Sequence, residues 1–309
     1  NNSGQLGLPD KRNRGVLPAD MGAGLQAVDF GPGRSAKSIA AGGDATCVVL
    51  DTDDVKCWGR QGGLWASFIK TVSQALTADG KGVNKSVVDL GPGRKARQVA
   101  VGVAHTCILL DDGTVKCWGR GQDGQRGEGN KLDTVLGQEE VKPVDLGPGA
   151  RAKAISVGDT NTCAILEDGT LLCWGDNDAD WLSVGIKGDV GNKPGQMGLR
   201  LPAMNLGVGR TAREVSMGGG IYVVRDDGSL ACANCRIRRN PFERLPVDLG
   251  PGRQARSVAA GRGHTCAVLD DETVTCWGAN SSGQLGQGDL RNLGWNRLRE
   301  PVEAGPRDA

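Results

Sequence analysis

Aromatic residues make up only 4% of this 309-residue chain, and histidine occurs twice. Two imidazoles leave little material for histidine-based acid–base work or for zinc sites of mixed Cys and His ligands. Long apolar runs are also missing. No stretch approaches the roughly 20 residues of a bilayer-spanning helix, and no amphipathic helical stretch of useful length stands out, so direct membrane insertion is not expected. Excess charge is absent too: 37 Lys and Arg face 36 Asp and Glu, a net charge of +1. That balance supplies no broad field for nucleic acid, which is therefore not expected as a partner. There is no nucleophile-elbow Gly-x-Ser-x-Gly, no phosphate loop and no His-Glu-x-x-His, so neither enzymatic activity nor a cofactor is expected. The chain opens on Asn1 without an initiator Met or a signal-like apolar stretch, which reads as a processed or incomplete chain.

What is abundant is glycine, at 50 residues, with 13 prolines. This leaves few uninterrupted stretches for helices and points to many short strands joined by turns. A repeat is plain. The segment Val88-Asp-Leu-Gly-Pro-Gly recurs at Val28, Val144 and Val247, more weakly at Met204, and as a truncated start at Val302. Each copy continues through an apolar stretch such as Gln98-Val-Ala-Val-Gly, then His105-Thr-Cys-Ile-Leu-Leu, then Asp-Asp-Gly, then Thr114-Val-Lys-Cys-Trp-Gly. These are four strand-sized pieces. Pro92-Gly93 suits a turn and Asp112-Gly113 a hairpin loop. Small sheets of this size must cover their faces by stacking, and radial stacking gives a propeller. A β-solenoid is the structural alternative; its rungs are usually shorter and carry fewer hairpin signals.

The combination Gly102-x-x-His105-Thr106, Asp-Asp-Gly, Trp118-Gly119 and Gly124-Gln125-Arg126-Gly127 resembles the regulator of chromosome condensation repeat. Gly4-Gln-Leu-Gly7, Gly195-Gln-Met-Gly198 and Gly283-Gln-Leu-Gly286 match the same loop. The expected fold is therefore all-β: one β-propeller domain over residues 1–309, built of four-stranded antiparallel blades. Complete modules span about 28–87, 88–143, 144–203, 204–246 and 247–301, with partial modules at 1–27 and 302–309. Together they predict part of a longer chain of six or seven blades. The likeness departs at Arg60-Gln-Gly-Gly-Leu-Trp65 and after Cys232.

Ten cysteines carry the strongest physical signal. Cys47/Cys57, Cys107/Cys117, Cys163/Cys173 and Cys266/Cys276 each lie ten residues apart and flank the same hairpin. If Asp111-Asp112-Gly113 is a three-residue loop with Gly113 left-handed, counting outward makes Cys107 and Cys117 a non-hydrogen-bonded pair, at the separation a cross-strand disulfide needs. In the fourth copy Tyr222 takes the first Cys position, and Cys232 gains Cys235, the fifth expected bridge. Ten-residue spacing and two histidines argue against zinc, and Cys232-x-x-Cys235 lacks the βαβ context of redox motifs. Five bridges imply an oxidising compartment: extracellular, periplasmic or lumenal. The nuclear exchange activity of the family's namesake is accordingly not carried over.

His105 and His264 share one repeat position and are expected to hydrogen-bond at strand starts. Asp176, Asp178 and Asp180 have the alternating carboxylates of calcium loops, but Trp181 and Lys187 stand where an EF-type loop needs Gly and Glu. Asn1, Asn84 and Asn280 begin Asn-x-Ser sequons, candidate glycan sites in a eukaryotic secreted protein. Trp58, Trp118, Trp174 and Trp277 follow the second Cys and should pack between blades, on the face opposite the disulfide. Trp65, Trp181 and Trp295 lie in variable loops and are the first candidates for protein-partner contacts. The functional expectation is a non-enzymatic interaction scaffold whose loops at 60–82, 120–140, 176–200 and 233–245 bind a protein partner. The alternatives are a structural subunit of a larger extracellular or membrane-associated assembly, an enzyme inhibitor, and a thiol oxidoreductase or lyase.

Overall fold

The computed structural model describes residues 1–15, 18–59, 86–134, 141–235 and 247–294. Five antiparallel sheets follow one another along the chain. The first contains β1 (Ala36–Gly42), β2 (Ala45–Leu50), β3 (Val55–Gly59) and β4 (Ser86–Val87). The second contains β5 (Ala96–Val101), β6 (His105–Leu110) and β7 (Val115–Gly119), and the third β8 (Ala152–Val157), β9 (Asn161–Leu166) and β10 (Leu171–Gly175). The fourth contains β11 (Ala212–Met217), β12 (Ile221–Arg225) and β13 (Leu230–Ala233), and the fifth β14 (Ala255–Ala260), β15 (His264–Leu269) and β16 (Val274–Gly278). The chain divides into two compact units, and the division falls within the third sheet: Asn1–Glu167, Trp174–Asp176 and Asp189–Leu201 form the first, and Asp168–Cys173, Asn177–Gly188 and Pro202–Ala309 the second.

The expected four-stranded blade is corrected by these sheets: among the described residues only the first has four strands. The Val-Asp-Leu segment, read from sequence as the start of each module, hydrogen-bonds to the third strand of the preceding sheet. Val88, Val144, Met204 and Val247 N–H donate to the carbonyls of Val55, Val115, Leu171 and Leu230 at 2.7–3.0 Å. In the first sheet Ser86 and Val87 extend that pairing into a ladder. In the second and third copies the described pairing is an isolated bridge, Lys116 to Pro143 and Leu172 to Ala203.

The hairpin between the second and third strands is the most regular element. Leu110 N–H donates to Thr114 O at 2.8 Å and Gly113 N–H to Leu110 O at 3.1 Å, with Gly113 at φ 83°. Cys107 then faces Cys117, as Cys47 faces Cys57 and Cys266 faces Cys276, and each pair is bridged across a Cα–Cα distance of 4.1 Å. Cys163 and Cys173 are also disulfide-bonded, and Cys232 is bridged to Cys235 across 6.0 Å.

Alternation along the strands sends the two faces of each sheet into different packing. In the first unit, Cys47, Val49, Val55 and Cys57 form one core with Val88, Val99, Ile108, Leu110 and Trp118. On the opposite face of the first sheet, Trp58 packs with Val48, Leu50, Val28 and Phe30. In the second unit, Tyr222, Val224, Leu230 and Cys232 meet Val247, Ala255, Val258 and Trp277. The disulfide face of one sheet thus meets the tryptophan face of the next. Side chains buried this way contribute about 1.5–3 kcal/mol each. Ile39 on β1 is 69% exposed, whereas its counterparts Val99, Val215 and Val258 are all under 9%.

Candidate functional site

The described loops of the Gly-Gln-x-Gly type are locked by an amide, a glutamine or both. Asn1 Oδ1 accepts the Leu6 N–H and Asn280 Oδ1 the Leu285 N–H, both at 2.9 Å. Gln5, Gln125 and Gln284 each turn their side-chain oxygen back onto the N–H two residues earlier, at 2.8–3.1 Å. The glycines flanking the glutamine are left-handed: Gly124 at φ 83° and Gly127 at φ 69°.

This braced loop acts as a plug. The Gln5 carbonyl accepts Thr46 Oγ1 at 2.8 Å and Trp58 Nε1 at 2.9 Å, and the Gln125 carbonyl accepts Thr162 Oγ1 at 2.8 Å and Trp174 Nε1 at 3.0 Å. Two donors from the next sheet therefore saturate one carbonyl. The closing glycine permits the approach, since a Cβ on Gly7 would lie 2.8 Å from Trp58 Nε1 and one on Gly127 2.9 Å from Trp174 Nε1.

Sequence reading matched Gly195-Gln-Met-Gly198 to this loop; the hydrogen bonds place the third copy elsewhere. Asn177 Oδ1 accepts the Leu182 N–H at 2.7 Å, which puts Asp180, Trp181 and Ser183 in the positions of Gly4, Gln5 and Gly7. Asp180 and Ser183 keep the left-handed conformation at φ 57° and 52° without being glycine. Gln196 instead braces a separate turn, accepting the N–H groups of Gly191 and Lys193. The count of ten residues from the second Cys to the closing position was the available sequence signal: it gives Gly127, Ser183 and Gly286.

His105 is 1% exposed and its Nε2 lies 2.6 Å from Thr162 Oγ1. Because the Thr162 hydroxyl donates to Gln125, its oxygen receives the His105 Nε2–H, which fixes that tautomer. Burial pushes the His105 pKa down to about 3, so the ring is neutral and structural. His264 is half-buried.

Asp176 lies in the first unit, where its carboxylate comes within 4.8 Å of that of Asp189. Burial raises the pKa of neighbouring Asp123; Arg120 opposes the shift, and Asp176 and Asp189 add to it. Asp178 and Asp180 lie in the second unit, on the 3-10 turn Asp178–Asp180, where Asp180 accepts the Gly185 N–H at 3.2 Å. A hydrogen-bonding turn thus accounts for Asp180.

Trp181 is half-buried, whereas Trp65, Trp295 and Asn84 lie outside the described residues. Asn280 is fully enclosed and its Nδ2 donates to Asp289 O at 2.8 Å. A glycan would have to be attached at that nitrogen, so the folded chain corrects Asn280 as a glycan candidate. Asn1 Nδ2 makes the matching bond to Asp10 O at 2.8 Å.

Comparisons with known proteins agree with this architecture. The family described as regulator of chromosome condensation (RCC1) repeat matches residues 36–62, 96–125, 152–179 and 255–284, the three-strand core of four of the five sheets. The ultraviolet-B receptor UVR8 of Arabidopsis thaliana is 26% identical over 296 residues, covering 93% of this chain and 61% of the receptor. The human RCC1 domain-containing protein 1 is 30% identical over 210 residues, covering 66% of this chain and 50% of that protein. The solved structure of Prp20p from Saccharomyces cerevisiae, described with its binding properties to Gsp1p and histones, superposes with a TM-score of 0.65 at 21% identity, covering 87% of this chain and 64% of that one. The chain thus spans about half to two thirds of the length of these proteins.

Proposed function

We propose that this chain, a β-propeller of the RCC1 type, is a non-enzymatic interaction scaffold in an oxidising compartment, holding a protein partner through the loops between its sheets. One observation carries the reading. In the loops of Gln5 and Gln125 the glutamine is consumed in bracing and plugging, while in the third copy its place is taken by Trp181, a half-buried aromatic on a loop that keeps the same backbone lock. An aromatic held on a rigid turn loses little entropy on binding and suits an interface anchor. The disulfides across four of the five hairpins fix the strands from which such loops spring. RCC1-type proteins mediate protein interactions or regulate GTPases, so the scaffold reading specialises a general property of the fold.

Two measurements test it. Intact mass of the chain from its native source should rise by about ten daltons on reduction, one for each of the ten cysteines; free thiols throughout would overturn the oxidising compartment. Cross-linking of the oxidised chain to its partners in an extracellular or lumenal extract should yield adducts that Trp181→Ala removes. Adducts unchanged by that variant and by replacement of residues 120–134 would overturn the loop-binding reading.

A further inference from the structure

The plug-and-socket pairing recurs along the chain, and in the fifth sheet the socket has no plug among the described residues. Thr265 and Trp277 occupy the positions of Thr46 and Trp58 and of Thr162 and Trp174. Both line a cavity of about 50 Å³ within the second unit, walled by Tyr222, His264 and the backbone of Gly219 and Gly261. The Tyr222 and Trp277 rings meet edge to face at 5.9 Å. Trp277 Nε1 is buried and has no hydrogen-bond partner among the described residues, whereas Trp58 Nε1 and Trp174 Nε1 each donate to a glutamine carbonyl. An indole N–H buried without an acceptor costs about 1–3 kcal/mol, which a carbonyl entering the cavity would recover.

The sequence of the fourth copy lacks the glycines that fill the other sockets. Counting ten residues from the second Cys gives Gly127 in the second copy and Gly286 in the fifth, but Phe242 in the fourth. Counting seven gives Gly124 and Gly283, but Arg239. A bare Cβ at the closing position already comes within 2.9 Å of the indole nitrogen in the filled sockets. A phenylalanine at that count is incompatible with the same approach, and arginine replaces a glycine held at φ 83°.

We infer that the Thr265–Trp277 cavity is a recognition site for a Gly-Gln-x-Gly turn of another polypeptide, whose glutamine backbone carbonyl accepts from Trp277 Nε1 and the Thr265 hydroxyl. The occupant follows from the two filled sockets, which take Gly4-Gln-Leu-Gly7 and Gly124-Gln-Arg-Gly127. Size supports it as well. About 50 Å³ is far below the roughly 300–1,000 Å³ of drug-sized ligand sites, yet it admits a carbonyl and the glycine backbone beside it. Trp181 does not line the cavity, so the fate of this site is independent of the Trp181 reading.

The test uses the full 15N-labelled chain and the peptide Asn-Ser-Ser-Gly-Gln-Leu-Gly, the sequence of residues 280–286. The Trp277 indole N–H resonance is assigned by its loss in Trp277→Phe. Titration with the peptide should shift that resonance downfield, while a control peptide ending in Phe should leave it in place. Thr265→Val, which keeps side-chain shape, should weaken binding about fivefold, the worth of one hydrogen bond. A Trp277 indole signal unmoved at millimolar peptide, or moved equally by the control, overturns the assignment. Loss of the Trp181-dependent adducts would leave it intact.

Discussion

Acidification from pH 7 to pH 5 is expected to cost the folded chain about 2 kcal/mol through His105 alone. In the unfolded chain this imidazole titrates near its ordinary pKa of 6.5; in the folded chain burial holds it to about 3. The folded pKa is depressed, so the stabilisation is fully present above pH 6.5 and is lost as pH falls toward 3, because only the unfolded state takes up the proton. Integrating that uptake between pH 7 and 5 gives about 2 kcal/mol, and the slope approaches about 1.4 kcal/mol per pH unit near pH 5. The hydrogen-bond chain from His105 Nε2–H to the Thr162 hydroxyl and on to the Gln125 carbonyl explains why charging is resisted. A second ring proton would sit on buried Nδ1, which has no acceptor among the described residues. The suitable comparison is His105→Asn, since Asn161 occupies the same strand-start position in the third sheet. Urea unfolding followed by tryptophan fluorescence at pH 7, 6 and 5 gives the slope for each protein. Carboxylates contribute little in this window because their unfolded pKa values lie near 4. The wild type should lose about 2 kcal/mol more than the variant across it. Parallel loss in both proteins would refute the assignment of a buried, neutral His105.

Two further predictions concern the scaffold. Gly127→Ala should destabilise by about 2–4 kcal/mol, because a left-handed residue at φ 69° gains a Cβ 2.9 Å from both Trp174 Nε1 and Val144 Cγ1. Gly149→Ala, also at φ 69° but facing open space, should cost only about 1–2 kcal/mol, and equal thermal shifts would contradict the packing role of Gly127. Replacing Cys107 and Cys117 together by Ala should lower stability by about 3 kcal/mol for a bridge closing so short a loop, read as a reduced guanidinium midpoint with unchanged slope.

Much of this protein was legible in its residues because the repeat superposes independent copies of one local solution. Period-2 alternation around a three-residue loop sets Cys107 against Cys117, and strand pairing alone sends Trp118 to the other face. The glycines of the loop motif were equally readable, since their left-handed backbone is a local demand. Other features depended on what lies across the sheet. Whether the segment at Val144 pairs with β7 as a ladder or as a single bridge depended on how the two chains approach, and whether Asn280 is open to a glycan depended on a carbonyl nine residues away. The first strand of each described sheet carries a register step around Lys37, Arg97, Lys153, Arg213 or Arg256, for which the sequence reading had no signal. Sequence by itself determined the repeat, the hairpins and their cross-strand cysteine pairs, because those rest on backbone geometry within a few residues. Only the tertiary structure decided which donors meet which carbonyl: His105 needs Thr162 and Trp174 needs Gln125, partners about 50 residues away brought near by the packing of one sheet on the next.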